Sequence, residues 1–179
     1  MARRVDVVAY DPAWPALFRA EAERLRVVFG PELVACHHVG STAVPGLSAK
    51  PIIDLLVEVR AIERVDALNE AMIALGYTPR GEFGIPGRRY FFRALGETRT
   101  HHVHCYPAGH AEVLRHLAFR DYLIAHADVA RVYGHLKIDL ARAHPWDIDA
   151  YVDGKDSFVR EAERQALAWA RRQRELRRD

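Results

Sequence analysis

Apolar residues in this chain recur first at a spacing of two and later at spacings of three and four, and the changes of period mark its elements. Val5, Val7 and Ala9 alternate with Asp6 and Tyr10 and predict a short first strand. Asp11-Pro12 then predicts an N-cap followed by proline at the first helical position. Trp14, Leu17, Phe18, Leu25 and Val28 continue at helical spacing until Gly30-Pro31 ends the helix. Residues 33–39 read as a strand, and Pro45-Gly46 marks a turn inside 42–50. Residues 51–59 form a nearly continuous apolar run, broken by Asp54 and Glu58, as expected of a buried central strand. Ile62, Val65, Leu68, Met72 and Leu75 predict an amphipathic helix closed by Gly76. Gly81, Gly84, Pro86 and Gly87 mark a loop. Residues 90–95 and 100–106 flank Gly96-Glu97 and predict a β-hairpin. Beyond residue 111 only helical patterns remain, over 111–126, 128–143 and 154–176, with Pro145 between the last two.

This order predicts an α+β fold, a mixed β-sheet with flanking helices followed by a helical C-terminal part. The 179 residues are expected to form a single domain, with the sheet core in 1–108 and the helical part in 109–179. Composition agrees with a globular chain: 50% of residues are hydrophobic and 28% charged. The net charge of +2 gives no strong nucleic-acid signal, so binding of that kind would need a local patch. Cys36 and Cys105 have no metal-type spacing and read as small buried thiols. The N-terminal apolar run is too short for a signal peptide and no stretch approaches membrane-spanning length. A cytoplasmic protein with no membrane partner is therefore expected.

The most specific segment runs from His37 to Val57 and contains Val39-Gly40-Ser41-Thr42 and Lys50-Pro51-Ile52-Ile53-Asp54. It resembles the GrpB family, which is placed in the nucleotidyltransferase superfamily. Further matches are Tyr10-Asp11-Pro12 with Trp14-Pro15, Thr100-His101-His102-Val103-His104, Phe119-Arg120-Asp121-Tyr122-Leu123, and Tyr151 with Gly154-Lys155. The resemblance covers nearly the whole chain. It implies a nucleotidyltransferase-like fold and a nucleoside triphosphate as substrate. The twelve residues between Ser41 and Asp54 match the superfamily's spacing between its Gly-Ser pair and its first catalytic aspartate.

The chemistry of the segment is also readable from its residue types. A Gly-Ser pair after a strand lets backbone N–H groups approach phosphate oxygens, and the hydroxyl adds a donor. Thr42 extends the same turn. An aspartate on the following strand can hold a divalent cation beside those phosphates. Active members of the superfamily place a second carboxylate two positions on; here that position is Leu56. Glu58 shares the face of Asp54 but lies about 13 Å along the strand at about 3.3 Å per residue, too far to share an ion. On the hairpin strand, His102 and His104 share one face with Tyr106, whereas His101 shares the other with Val103 and Cys105. Asp54, His102 and His104 are therefore the candidate catalytic residues and metal ligands. The cofactor expected is a divalent metal, Mg²⁺ or Mn²⁺, with Zn²⁺ as the alternative; two imidazoles suit Zn²⁺, Mn²⁺ or Fe²⁺ better than Mg²⁺.

Lysine occurs only at Lys50, Lys137 and Lys155 among 26 basic residues. All three fall within segments resembling family motifs, and a compact ammonium suits a triphosphate. With Gly40, Ser41, Thr42 and Arg93 they are the candidate substrate-binding residues. His101, His37 and His38 are expected to be structural, and Arg88 and Arg89 to lie near solvent. The terminal cluster Arg171, Arg172, Arg174, Arg177 and Arg178 is expected to be a solvated helix end. The function expected is a transferase that moves a nucleotidyl or phosphoryl group to a small acceptor in a metal-assisted cleft. The alternatives are a nucleotide-binding module without catalysis and a His/Asp transition-metal enzyme of another class.

Overall fold

The computed structural model describes residues 4–177. Helix α1 (Trp14–Phe29) precedes strands β1 (Leu33–Val39) and β2 (Ile53–Val59). A 3₁₀ stretch (Ile62–Leu68), helix α2 (Asn69–Ala74) and strands β3 (Tyr77–Pro79), β4 (Arg89–Leu95) and β5 (Thr98–Pro107) follow. Helices α3 (Ala111–Ala125), α4 (Ala127–Ala143) and α5 (Ile148–Leu176) complete the chain. The five strands form one mixed sheet in the order β1-β2-β5-β4-β3, in which only β2 and β5 run parallel. Among the described residues, no helix is long and apolar enough to cross a membrane.

Side-chain alternation assigns the two faces of the sheet. On one face Ile53, Leu55, Val57, Phe91, Val103 and Cys105 pack with Trp14, Leu25 and Phe29 of α1 and with Val65 and Met72. On the other face Val39, Leu56 and Tyr106 pack against Val113 of α3. A further apolar cluster joins Val44 and Leu47, from the turn after β1, to Leu123, Tyr133 and Ala166 of the C-terminal helices. Those helices thus close over the end of the sheet at which residues 40–50 run between β1 and β2.

Several sequence expectations need correction. Val5, Val7 and Ala9 form no strand; the segment makes a single bridge, Val8 to Ala49. Helix α1 starts at Trp14, with Pro15 in its first turn, and Asp11 Oδ1 accepts a hydrogen bond from Ala13 N at 2.8 Å just outside it. The predicted helix over 62–75 begins as a 3₁₀ segment. Ile62, Val65 and Leu68 recur at strict intervals of three, which matches three residues per turn. Strand β3 was hidden by its length of three residues. Helix α5 begins at Ile148, not at 154, because Asp147 caps it through Ala150 N at 3.0 Å and the helix runs on through Gly154.

Candidate functional site

Strand register builds the site. Val39, Asp54, His102 and Phe92 lie side by side across β1, β2, β5 and β4, and the next row on the same face is His37, Leu56, His104 and Tyr90. Asp54 therefore meets His102 directly and His104 diagonally. Its Oδ1 lies 3.0 Å from His102 Nδ1 and 3.6 Å from His104 Nε2. Burial alone would raise the Asp54 pKa, but hydrogen bonds and charge from the two imidazoles hold it well below the usual carboxylate range. His104 shifts downward because burial disfavours its cation more than Asp54 favours it.

One donor atom from each of Asp54, His102 and His104 falls within 4.8 Å of the others, and no other such group of three exists among the described residues. Two imidazole nitrogens and a carboxylate on one side of a cleft fit a divalent transition ion, leaving positions for other ligands. His102 Nε2 and His104 Nδ1 are buried without a hydrogen-bond partner among the described residues. Asp54 holds one nitrogen of each ring, and ring contacts with Tyr90, and of His104 with His116, orient the imidazoles.

Gly40 faces this carboxylate from the end of β1. Its φ of +71° is a conformation that suits glycine, and a Cβ there would fall 2.5 Å from Asp54 Oδ2. Ser41 begins a short 3₁₀ turn, Ser41–Ala43, that lines the same cleft of about 310 Å³. Opposite stand α4 and α5. Lys137 Nζ hydrogen-bonds Ser41 Oγ at 2.8 Å and lies 4.4 Å from the Tyr133 ring centroid. Lys50 and Lys155 lie 5.3 and 5.8 Å from the Tyr151 ring centroid. All three lysines of the chain thus line one cleft. Lys137 is 3% exposed, and burial, then Lys155 and Lys50, bring its pKa down to about 7.

Gly40, Ser41, Lys50, Asp54, His102, Lys137 and Lys155 are brought together as the sequence suggested, with His104 beside Asp54 in the next row. Arg93 is not. It pairs with His101 across β4 and β5, on the opposite face, where it donates to both carboxylate oxygens of Glu21. The sheet itself separates it from the cleft. Thr42 lines the cleft, but its hydroxyl donates to Ile52 O at 3.2 Å and receives His38 Nε2 at 3.0 Å, so it fastens the turn to the segment before β2. Arg88 is buried, not near solvent: it donates to Glu82 O and Phe83 O and stacks over Tyr90. Glu58 is held by His37 at 2.8 Å and accepts from Gly109 N. Leu56 is fully buried beside Val39, Tyr106 and Val113.

Sequence reasoning missed Tyr133, Tyr151, Arg115, His116 and Glu163 as members of the cleft. A signal existed for the tyrosines: Tyr133–Lys137 and Tyr151–Lys155 share the i,i+4 spacing that stacks a side chain over its neighbour on a helix. Arg115 pairs with Glu112 and with Glu163, so α3 is joined to α5 across the cleft's rim. That pairing between helices had no local signature.

A mixed five-stranded sheet with Gly-Ser after one strand and a metal-competent aspartate on the next defines a nucleotidyltransferase-like α+β protein. The sequence profile of the GrpB protein family matches residues 4–165, and the chain belongs to that family. It is 52% identical over 167 residues to UPF0157 protein YqkA of Bacillus subtilis, covering 93% of this chain and 48% of YqkA. It is 32% identical over 191 residues to a protein named dephospho-CoA kinase from Mycolicibacterium paratuberculosis, covering 93% of this chain and 47% of that protein. The chain thus spans about half the length of these two relatives. The crystal structure of conserved protein GrpB from Enterococcus faecalis superposes with a TM-score of 0.89 at 46% identity, covering 92% of this chain and 99% of that one.

Proposed function

We propose that the cleft binds a nucleoside triphosphate by its phosphates and moves a nucleotidyl or phosphoryl group to a small acceptor, with Asp54, His102 and His104 holding one divalent cation. The observation that carries this proposal is the convergence of all three lysines with Gly40-Ser41 and Asp54. Lysine charge gathered in one partly buried cleft is self-repelling, which lowers the Lys137 pKa, and a polyanion relieves that repulsion. Lys50, Lys137 and Lys155 come from three separate elements, so the cluster is a product of the fold and not of a local charge run. A divalent cation beside Asp54 would screen the phosphates and help align the transfer. The mycobacterial relative's name is compatible with phosphate transfer. Its kinase activity is not part of the proposal: this chain matches half of it and contains no G-x-x-x-x-G-K-[ST] loop.

Titration calorimetry with ATP and the other nucleoside triphosphates, with and without Mn²⁺, tests the proposal. Binding is expected to tighten with Mn²⁺. Asp54→Asn should remove that increment and the turnover while leaving the melting temperature nearly unchanged. No binding of any nucleoside triphosphate at millimolar concentration would sink it.

Leu56 favours a second possibility, a binding module without catalysis. Its apolar side chain fills the place on the Asp54 face where another carboxylate could stand. Nucleotide binding that ignores metal, with no turnover, is the outcome that would select it. Tight Zn²⁺ or Mn²⁺ binding without nucleotide affinity would instead select a His/Asp metalloenzyme of another class.

A further inference from the structure

We infer that Ser41 and Lys137 form a nucleophile–base pair, in which Ser41 Oγ accepts the transferred phosphorus group covalently and Lys137 Nζ takes its proton. The inference rests on the proposed phosphorus chemistry but assigns the pair a role beyond binding. Its basis is geometric. Ser41 lies on the cleft wall, partly exposed, at the start of a 3₁₀ turn fixed by Gly40 and Thr42. Lys137 reaches it from α4 at 2.8 Å, within the range for direct proton transfer. The amine is buried, and the Tyr133 ring beside it limits solvent.

The surroundings of Lys137 favour the free amine. From its own helix it faces Tyr133, from α5 Lys155 and Tyr151, from the segment before β2 Lys50, and from the turn after β1 Ser41. Asp54 and Glu163 line the same cleft, but the charges that shift Lys137 are those of Lys155 and Lys50. Burial and the two lysines place its pKa at about 7, so a large share is neutral at physiological pH. A neutral amine reverses the hydrogen bond: the Ser41 hydroxyl donates to nitrogen, and its lone pairs turn to the cleft. The Tyr133 phenol lines the same cleft, and burial raises its pKa so that it stays neutral. It does not compete with Lys137 as a base.

Nucleotidyl transfer then runs as two displacements at one phosphorus. Ser41 Oγ forms a bond to the α-phosphorus, the bond to pyrophosphate breaks, and pyrophosphate leaves with the electron pair. The hydroxyl proton goes to Lys137. The acceptor hydroxyl then attacks the same phosphorus and loses its proton to solvent. Ser41 leaves with its electron pair and recovers the proton from Lys137.

A fluorophosphonate probe tests the pair without an identified acceptor. Ser41 Oγ would bond to phosphorus, fluoride would leave, and the proton would pass to Lys137. Intact-protein mass spectrometry with peptide mapping should find one adduct, on Ser41, absent from Ser41→Ala. Lys137→Arg keeps a cation and a donor but supplies no base at neutral pH. It should label at least about 100-fold more slowly while binding inorganic tripolyphosphate within a few-fold of the parent. Thermal melts identify folded variants, and Lys137→Met serves if the arginine does not fit. Absence of a Ser41 adduct, or undiminished labelling in a folded Lys137 variant, overturns the pair. Nucleoside triphosphate binding, measured on the same samples, separates the two proposals. Binding without an adduct refutes only the pair; an adduct without binding supports the pair and refutes the nucleotide proposal.

Discussion

Gly40 and Asp54 are in such close apposition that a Cβ on residue 40 would fall 2.5 Å from Asp54 Oδ2 and 3.1 Å from its Cγ. The glycine therefore has two duties: it accepts φ +71°, and it leaves room for the carboxylate to turn toward His102 and His104.

Gly40→Ala should accordingly damage both stability and site. The backbone at φ +71° and ψ −174° alone costs about 1–3 kcal/mol for a residue with a Cβ. Displacing Asp54 from its 3.0 Å bond with His102 adds to this. A lower urea midpoint together with loss of metal-dependent ligand binding is expected. A variant with unchanged midpoint and unchanged binding contradicts the apposition.

Lys137 makes stability depend on pH in a defined window. Its pKa is about 7 in the fold against an ordinary 10.5. Between those values the unfolded chain holds the proton and the folded one does not, so this contribution to stability rises with pH. The slope is at most about 1.4 kcal/mol per pH unit. Urea unfolding from pH 7 to 9 should shift the parent upward relative to Lys137→Met. Equal slopes in the two proteins would show that the amine is not shifted.

Acid should act through buried imidazoles. Burial first, aided by nearby arginines, brings His38, His101 and His116 down to about 4, from an ordinary 6.5. As pH falls through that interval the unfolded chain takes up protons that the fold excludes, and stability is lost. His38→Gln, which removes one of these imidazoles, should flatten the slope by up to one proton. An unaltered slope counts against a neutral His38.

Gly154 lets α5 pass close to α4, because a Cβ there would overlap the Leu140 side chain. Gly154→Ala gains up to about 1 kcal/mol of helix propensity but overpacks this crossing, at a cost of about 1–3 kcal/mol. Leu140 can yield in part, so a modest loss of stability is expected. The neighbouring Lys155 should shift, weakening tripolyphosphate binding several-fold in calorimetry. Full affinity would separate the crossing from the cleft.

Local sequence determined most of the elements, the parity of His102 and His104, and the close association of Gly40-Ser41 with Asp54. Those features depend on residues near one another along the chain or on the two-residue period of a strand. Tertiary structure decided the rest. The hairpin partner of Arg93 was legible, but its register was not: an irregularity between Arg93 and Ala94 sets Arg93 opposite His101 and so on the α1 face, and nothing within 89–95 announces it. Three residues were too few to announce β3, and packing of Gly154 against Leu140 carried α5 through a residue that disfavours helix. The lysines were conspicuous by rarity, but their meeting required α4 and α5 to fold back over the turn after β1. Side-chain periodicity tells which face a residue takes on its own element; only long-range packing decides what that face meets.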